Sequence, residues 1–179
     1  MIEGAIRLLA QRGLQATSFS EVLELTGAPR GSIYHHFPEG KDQLVGAAVD
    51  RAGIRASHAL EGRPGASVEE LTALFLGIWR EVLVRSQFRA GCAVLAVTVA
   101  TDSQELLRHA GAVFRSWRRQ LAEMLERGGL SAKEAAQFAT TLVAASEGAV
   151  VLSRAEQSLE PFDLVAEQLL EQSRKLSMG

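Results

Sequence analysis

Thr17 to Leu44 reads TSFSEVLELTGAPRGSIYHHFPEGKDQL, and the order of capping, breaking and apolar residues within it decides the fold. Ser18 followed three residues later by Glu21 is a capping box. The serine oxygen takes an orphan N–H and the glutamate reaches back, so a helix is expected to begin at Phe19. Thr26-Gly27 ends that helix after about two turns, because glycine enters the left-handed conformation of a helix C-terminus without a Cβ penalty. Pro29 suits the first position of a second helix, where a missing N–H costs nothing. Ile33 and Phe37, four apart, form the buried face of that helix. Its other face carries Arg30, Gly31, Ser32, Tyr34, His35 and His36, short or hydrogen-bonding groups in place of the long acidic side chains of a solvated surface. Two short helices joined by a glycine turn, the second presenting its N-terminal residues, have the geometry that enters a DNA major groove.

The segment from Thr26 to Leu44, TGAPRGSIYHHFPEGKDQL, resembles the DNA-binding signature of TetR-type transcriptional regulators. Tyr34, Phe37, Gly40, Lys41 and Leu44 stand where that signature expects them, and the Phe-Pro-x-Gly-Lys form is similar to the subgroup around the lincomycin-resistance repressors. Many members of that family have serine where this chain has Pro29, so a side-chain cap or phosphate contact gives way to a pre-set backbone. The resemblance implies an all-α chain of about nine helices. It places a helix-turn-helix DNA-binding domain at 1–46 and a helical ligand-binding and dimerisation domain at 47–179.

Charge is the feature that sits least easily with this reading. The chain carries a formal net charge of −2. Within the first sixty residues, Arg7, Arg12, Arg30, Lys41, Arg51 and Arg55 are balanced by Glu3, Glu21, Glu24, Glu39, Asp42 and Asp50. Phosphate contacts dominate DNA affinity, so a local cationic excess is expected. His35, His36 and His58 can supply some of it, since an unperturbed histidine titrates at about 6.5. TetR-type chains usually carry a basic arm before the first helix, and such an arm is expected here upstream of Met1. No run of about eighteen uncharged apolar residues is present. The single Cys92 cannot form an internal disulfide, and neither a basic leader nor a cleavage site follows Met1, so the cytoplasm is the expected compartment.

Around the central stretch the helical pattern continues. Ile2, Ile6, Leu9 and Ala10 give a first helix ending at Arg12-Gly13, with Leu14 and Phe19 joining its core; Lys41 opens a fourth helix running to about Ala59. The fourth helix is expected to act as a mechanical link between the reading helices and the second domain. Gly62-Arg63-Pro64-Gly65 breaks the chain, and Ser67 with Glu70 caps a helix to about Gln87. Cys92 to Ala100 is apolar almost all round; taken alone it fits a buried strand, but with no partner strand it reads as a buried helix. Asp102 or Ser103 caps a helix to about Arg127. Its cations Arg108, Arg115, Arg118 and Arg119 alternate with Glu105, Glu123 and Glu126, as on a solvated face. Ser131 with Glu134 caps another helix to about Arg154, and a last helix covers about Pro161 to Leu176. Ala144, Ala145, Gly148, Ala149 and Leu152, with Phe162, Val165 and Leu169, suit a four-helix interface between two copies of the chain, the dimer mode of the family; packing within one chain is the alternative.

Enzymatic chemistry finds little footing. None of the four histidines follows a glutamate by three residues, HExxH is absent, and no glycine-rich phosphate loop follows a strand. No cofactor or metal is expected. For DNA, Arg30 can pair bidentately with guanine, Gly31 and Ser32 can face base edges, and His35 can donate or accept. Tyr34 and Lys41 suit phosphates, as do Thr17 and Ser18; for His36, contact and core remain equal alternatives. Phe75, Trp79, Phe88, Phe114 and Trp117 are many bulky groups for a thin helical domain. An apolar effector cavity lined by them, with Cys92, Thr98, Thr101, Thr140 or Thr141 as polar contacts, stands beside a plain core. The function expected is a homodimeric regulator, a repressor released from its operator by an apolar or aromatic small molecule. The alternative is a helical dimer that binds a ligand or protein without DNA.

Overall fold

A computed structural model describes residues 1–60 and 65–178. Among these the chain forms helices α1 (Ile2–Arg12), α2 (Phe19–Thr26), α3 (Arg30–His36), α4 (Lys41–Leu60), α5 (Val68–Ser86), α6 (Ala93–Thr98), α7 (Gln104–Arg127), α8 (Ala132–Glu156) and α9 (Glu160–Ser177), with no strand. The breaker expected at Gly62-Arg63-Pro64 lies outside the described residues.

Local signals account for most helix ends. Ser67 and Ser131 each accept the N–H of the residue three ahead, Glu70 and Glu134, whose carboxylates take the serine N–H in return, so both capping boxes form in full. The Ser131 hydroxyl and N–H hold the Glu134 carboxyl below its ordinary range. Gly129 at φ 113 closes α7, with the Leu130 N–H reaching back to Leu125 O. At the end of α5 the same backbone turn is made without glycine: Gln87 and Phe88 both sit at positive φ, 51° and 59°, and the Phe88 N–H reaches Leu83 O at 2.9 Å. Left-handed conformations cost an L-residue roughly 1–2 kcal/mol each, so the contacts of this corner hold it against that cost.

The chain packs as two compact units whose limits fall inside α4, between α5 and α6, and inside α7. The first joins Met1–Arg55 to Cys92–Phe114. Its core is built from Leu8 and Leu9 of α1, Val22 of α2, Ile33 of α3, Leu44 and Val45 of α4, and Val94 and Val97 of α6, all essentially buried. Packing therefore groups α6 and the start of α7 with the N-terminal helices, a partition that differs from a simple cut after residue 46. Small residues allow close approach here. A Cβ on Gly4 would lie 2.5 Å from the Thr26 methyl, bringing α1 against α2, and one on Gly53 would lie 2.8 Å from both Val113 methyls, bringing α4 against α7.

The second unit joins Ala56–Gly91 to Arg115–Gly179, of which the described residues are considered, and packs α5, α8 and α9 together. Phe138, Leu142, Phe162 and Leu169 fill its interior. Glu69 near the start of α5 pairs with Arg174 near the end of α9 at 2.7 Å, and Arg80 near the end of α5 pairs with Asp163 near the start of α9 at 3.0 Å. Both pairs are exposed, so they set antiparallel orientation more than stability. Buried Ser153 of α8 accepts the Phe162 N–H at 3.1 Å, satisfying an orphan donor of α9. Among the described helices α8 is long and apolar enough to cross a membrane by length and composition, with half of that window buried inside the chain.

Candidate nucleic-acid interface

The first unit displays α3. Gly27 at φ 66 ends α2 in the left-handed conformation, its N–H donating to Leu23 O at 2.8 Å, and α3 begins three residues later at Arg30. Pro29 stands one residue earlier than expected. It occupies the N-cap rather than the first helical position, because its ψ of 138° is extended, and its carbonyl accepts the Ser32 N–H at 3.0 Å. Ile33 and Phe37 are buried and seat the helix. With those two inward, Arg30, Gly31, Tyr34, His35 and His36 are exposed and Ser32 is half-buried. His36, left open between core and contact, lies on the outer face.

Tyr34 is held while exposed. Its ring meets Phe19, at the start of α2, edge to face at 5.4 Å between centroids and 78° between planes, which limits its rotamers before any partner arrives. Gly31 is informative for the opposite reason. A Cβ added there would meet nothing within 4 Å, and its φ is ordinary, so neither packing nor backbone conformation of this chain calls for a glycine. Glycine inside a helix costs about 1 kcal/mol relative to alanine, a cost that a partner approaching closely from outside would account for.

The other expected DNA contacts divide. Ser18 caps α2 by accepting the Glu21 N–H at 3.2 Å, which leaves its own hydroxyl proton to donate elsewhere. Its capping box is only half formed, because Glu21 pairs with Arg12 at 2.8 Å instead of reaching back. Thr17 is a correction: it is 1% exposed and its hydroxyl donates to Gly13 O at 2.9 Å, so it stiffens the α1–α2 loop and faces no partner. Lys41 donates to Leu14 O at 2.8 Å, tying the start of α4 to the same loop; an ammonium has two further N–H donors.

The residues expected to line an effector cavity fall in both units. Cys92, Thr98 and Phe114 belong to the first unit, and Phe75, Trp79, Phe88, Trp117 and Thr141 to the second. Phe75, Cys92 and Trp117 are buried, while Trp79, Phe88, Thr98 and Phe114 are half-buried. Thr98 and Thr141 donate their hydroxyls to the carbonyls of Val94 and Gln137, one turn back in their own helices, and Thr141 is exposed on α8. Among the described residues no three metal-ligating side chains gather.

The expected interface between copies needs a similar division. Ala149, Phe162 and Leu169 are buried within the chain at 2%, 1% and 3%, because α8 and α9 pack on each other and on α5. Ala144, Gly148 and Leu152 are exposed, with Ala145 and Val165 half-buried. Thr140, weighed above only as an effector contact, Val151, which sequence reasoning missed, and Leu164 extend the exposed small and apolar surface. Helical spacing from Ala144 and Gly148 carries the signal for the first two.

A short helix seated by two apolar residues, with arginine, tyrosine and histidine turned outward after a glycine turn, defines a helix-turn-helix DNA-binding regulator. The chain belongs to the TetR family: residues 1–48 match the model of bacterial regulatory proteins of the tetR family, and residues 68–168 match the C-terminal domain of LmrA/YxaF-like transcriptional regulators. It is similar to the HTH-type transcriptional regulator Rv0196 of Mycobacterium tuberculosis, 38% identical over 94% of this chain and 90% of that one. It is also similar to the HTH-type transcriptional regulator YxaF of Bacillus subtilis, 31% identical over 94% of this chain and 91% of that one. The fold matches a regulatory protein TetR from Rhodobacter sphaeroides with a TM-score of 0.84 at 21% identity, covering 95% of each chain. The protein is a DNA-binding transcriptional regulator and not an enzyme.

Proposed function

We propose that the chain is a homodimeric repressor that leaves its operator when an apolar or aromatic small molecule binds. Arg30, Gly31, Ser32 and His35 read base edges, and Tyr34, His36, Lys41 and Ser18 hold phosphates. Two copies meet through α8 and α9 at Ala144, Ala145, Gly148, Leu152 and Val165, so that two copies of α3 face half-sites about 34 to 36 Å apart or a multiple of that. The function divides near residue 46, with DNA contact before it and effector and partner contact after it, in the cytoplasm. Phe75, Trp79, Phe88 and Trp117 of the second unit are the aromatic residues offered to the effector.

The observation that carries the DNA reading is the outward face of α3, above all Gly31, whose missing side chain serves nothing inside the protein. The test begins by letting the chain select duplexes from a random-sequence pool and measuring affinity for the selected duplex across a salt series. A steep fall with salt and strong preference over random DNA are expected. A library of planar aromatic compounds is then screened for release of that duplex and for a raised unfolding temperature. Compounds that do both identify the effector class; selection of a duplex with no release by any apolar compound retires the effector half of the proposal and leaves the DNA half.

A further inference from the structure

Within the first unit, α4 is gripped from two sides. Toward α1, Glu3 pairs with both Arg51 and Arg55, and Lys41 holds Leu14 O. Toward α7, the grip is built on one stripe of α4 with spacing four and three: Gly46, Asp50 and Gly53. His109 of α7 lies against this stripe. Its Nδ1 stands 3.0 Å from each of the two Asp50 carboxylate oxygens, and a Cβ on Gly46 would lie 3.4 Å from its Cδ2 and Nε2, so the imidazole is seated over the bare backbone of α4. One turn on, Val113 of α7 fills the space left by Gly53.

The two contacts do different work. Val113 against Gly53 fixes how close the helices come, and apolar packing of that kind tolerates sliding. A ring held at one nitrogen by both oxygens of a carboxylate, with its Cδ2 and Nε2 against a glycine, fixes rotation and axial position as well. The pair contributes little to folding, because the side chains of His109 and Asp50 remain 35% and 48% exposed. Its consequence is geometric. Asp50 lies nine residues into α4 from Lys41, about 14 Å along the axis. Only residues 37–40 separate the end of α3 from the start of α4. A change in the angle of α4 at Asp50 therefore carries α3 with it.

We infer that His109 is a positioning residue for DNA binding: seated on Gly46 and held by Asp50, it locks α4 at the angle at which α3 is presented to the groove. The inference rests on the repressor reading, in which the ligand-free chain is the form that binds DNA.

The test uses the duplex that the wild-type chain selects from a random-sequence pool. His109→Ala and Asp50→Asn are each expected to weaken binding of that duplex by roughly three- to thirtyfold. Their unfolding temperatures should stay close to wild type. The exchanged pair, Asp50→His with His109→Asp, is expected to recover most of the affinity, which a merely structural role would not do. Val113→Ala serves as the contrast: it loosens the packing, lowers the unfolding temperature and leaves affinity nearer to wild type than His109→Ala does. Wild-type affinity in both single variants would overturn the lock, as would tighter binding, or a loss that follows the unfolding temperature and is not recovered by the exchange. Selection of no duplex by the wild-type chain would instead sink the DNA-binding function itself.

Discussion

The exposed face of α3 and the exposed face of α8 are both uncovered in the single chain, and they differ in nearly every chemical respect. Arg30, Tyr34, His35 and His36 project hydrogen-bonding groups from a seven-residue helix, and Tyr34 is 64% exposed. On α8, Thr140, Ala144, Gly148, Val151 and Leu152 make a low, mostly apolar surface on a helix of 25 residues, with both threonine and alanine giving short side chains. In the proposed reading the first face would gain by hydrogen bonding to a polar groove and the second by excluding water from a matching surface. They share one feature. Each has a glycine inside a helix, Gly31 and Gly148, whose absent side chain would meet nothing in the chain. A second exposed apolar face alone would have left the two indistinguishable; the side chains around each glycine distinguish the partner that comes close.

The comparison is broken most severely by placing a charge on the wrong face. Gly148→Arg puts an unpaired cation into the proposed contact between copies and is expected to weaken self-association by roughly a hundredfold or more, with the monomer still folded; sedimentation velocity and circular dichroism read the two parts. Arg30→Ala should cost about 1–3 kcal/mol on the selected duplex and relax discrimination at one base pair, measured by competition between single-base variants of that duplex. The glycines provide the sharpest contrast. Gly31→Ala, Gly148→Ala and Gly77→Ala are each expected to raise unfolding stability by about 0.5–1 kcal/mol, since each glycine sits in a helix with open space around it. Gly31→Ala should weaken DNA binding and Gly148→Ala self-association. Gly77, beside Arg80 and Glu81 on α5, should show neither loss, and a loss there would undo the argument made from open glycines.

The smallest effect concerns acid stability. Ser131 holds the folded-state pKa of Glu134 below its ordinary value, so this carboxylate contributes stability above the unfolded pKa and loses it as pH falls through the folded one. Ser131→Ala, which also removes the N-cap, should lower the unfolding temperature slightly near neutral pH and flatten its acid limb.

Features governed by neighbours in sequence were legible. The boxes at Ser67 and Ser131, the glycine at 27 and the seating of α3 by Ile33 and Phe37 depend on residues within one or two turns, and each is present. Where a distant group competes, the local signal fails. Glu21 has the spacing of a capping box, but Arg12 from α1 takes its carboxylate. Thr17 is an exception at short range, its hydroxyl consumed by the Gly13 carbonyl four residues back. Apolar residues announce burial without naming what buries them. Phe162 and Leu169 have the character of an interface between copies and are already used between α8 and α9. Ser153 in the last turn of α8 and His109 beside Asp50 carry no periodic signal at all, since their meaning arises only when two helices meet.

The most direct test of the contrast between α3 and α8 is the stoichiometry and symmetry of the complex on the selected duplex, read by analytical ultracentrifugation with a hydroxyl-radical footprint. Two copies on an inverted repeat, with protected half-sites one helical turn or a multiple apart, are predicted. A single copy on an asymmetric site would contradict the pairing assigned to α8, and no preference for any duplex over random DNA would contradict the reading assigned to α3.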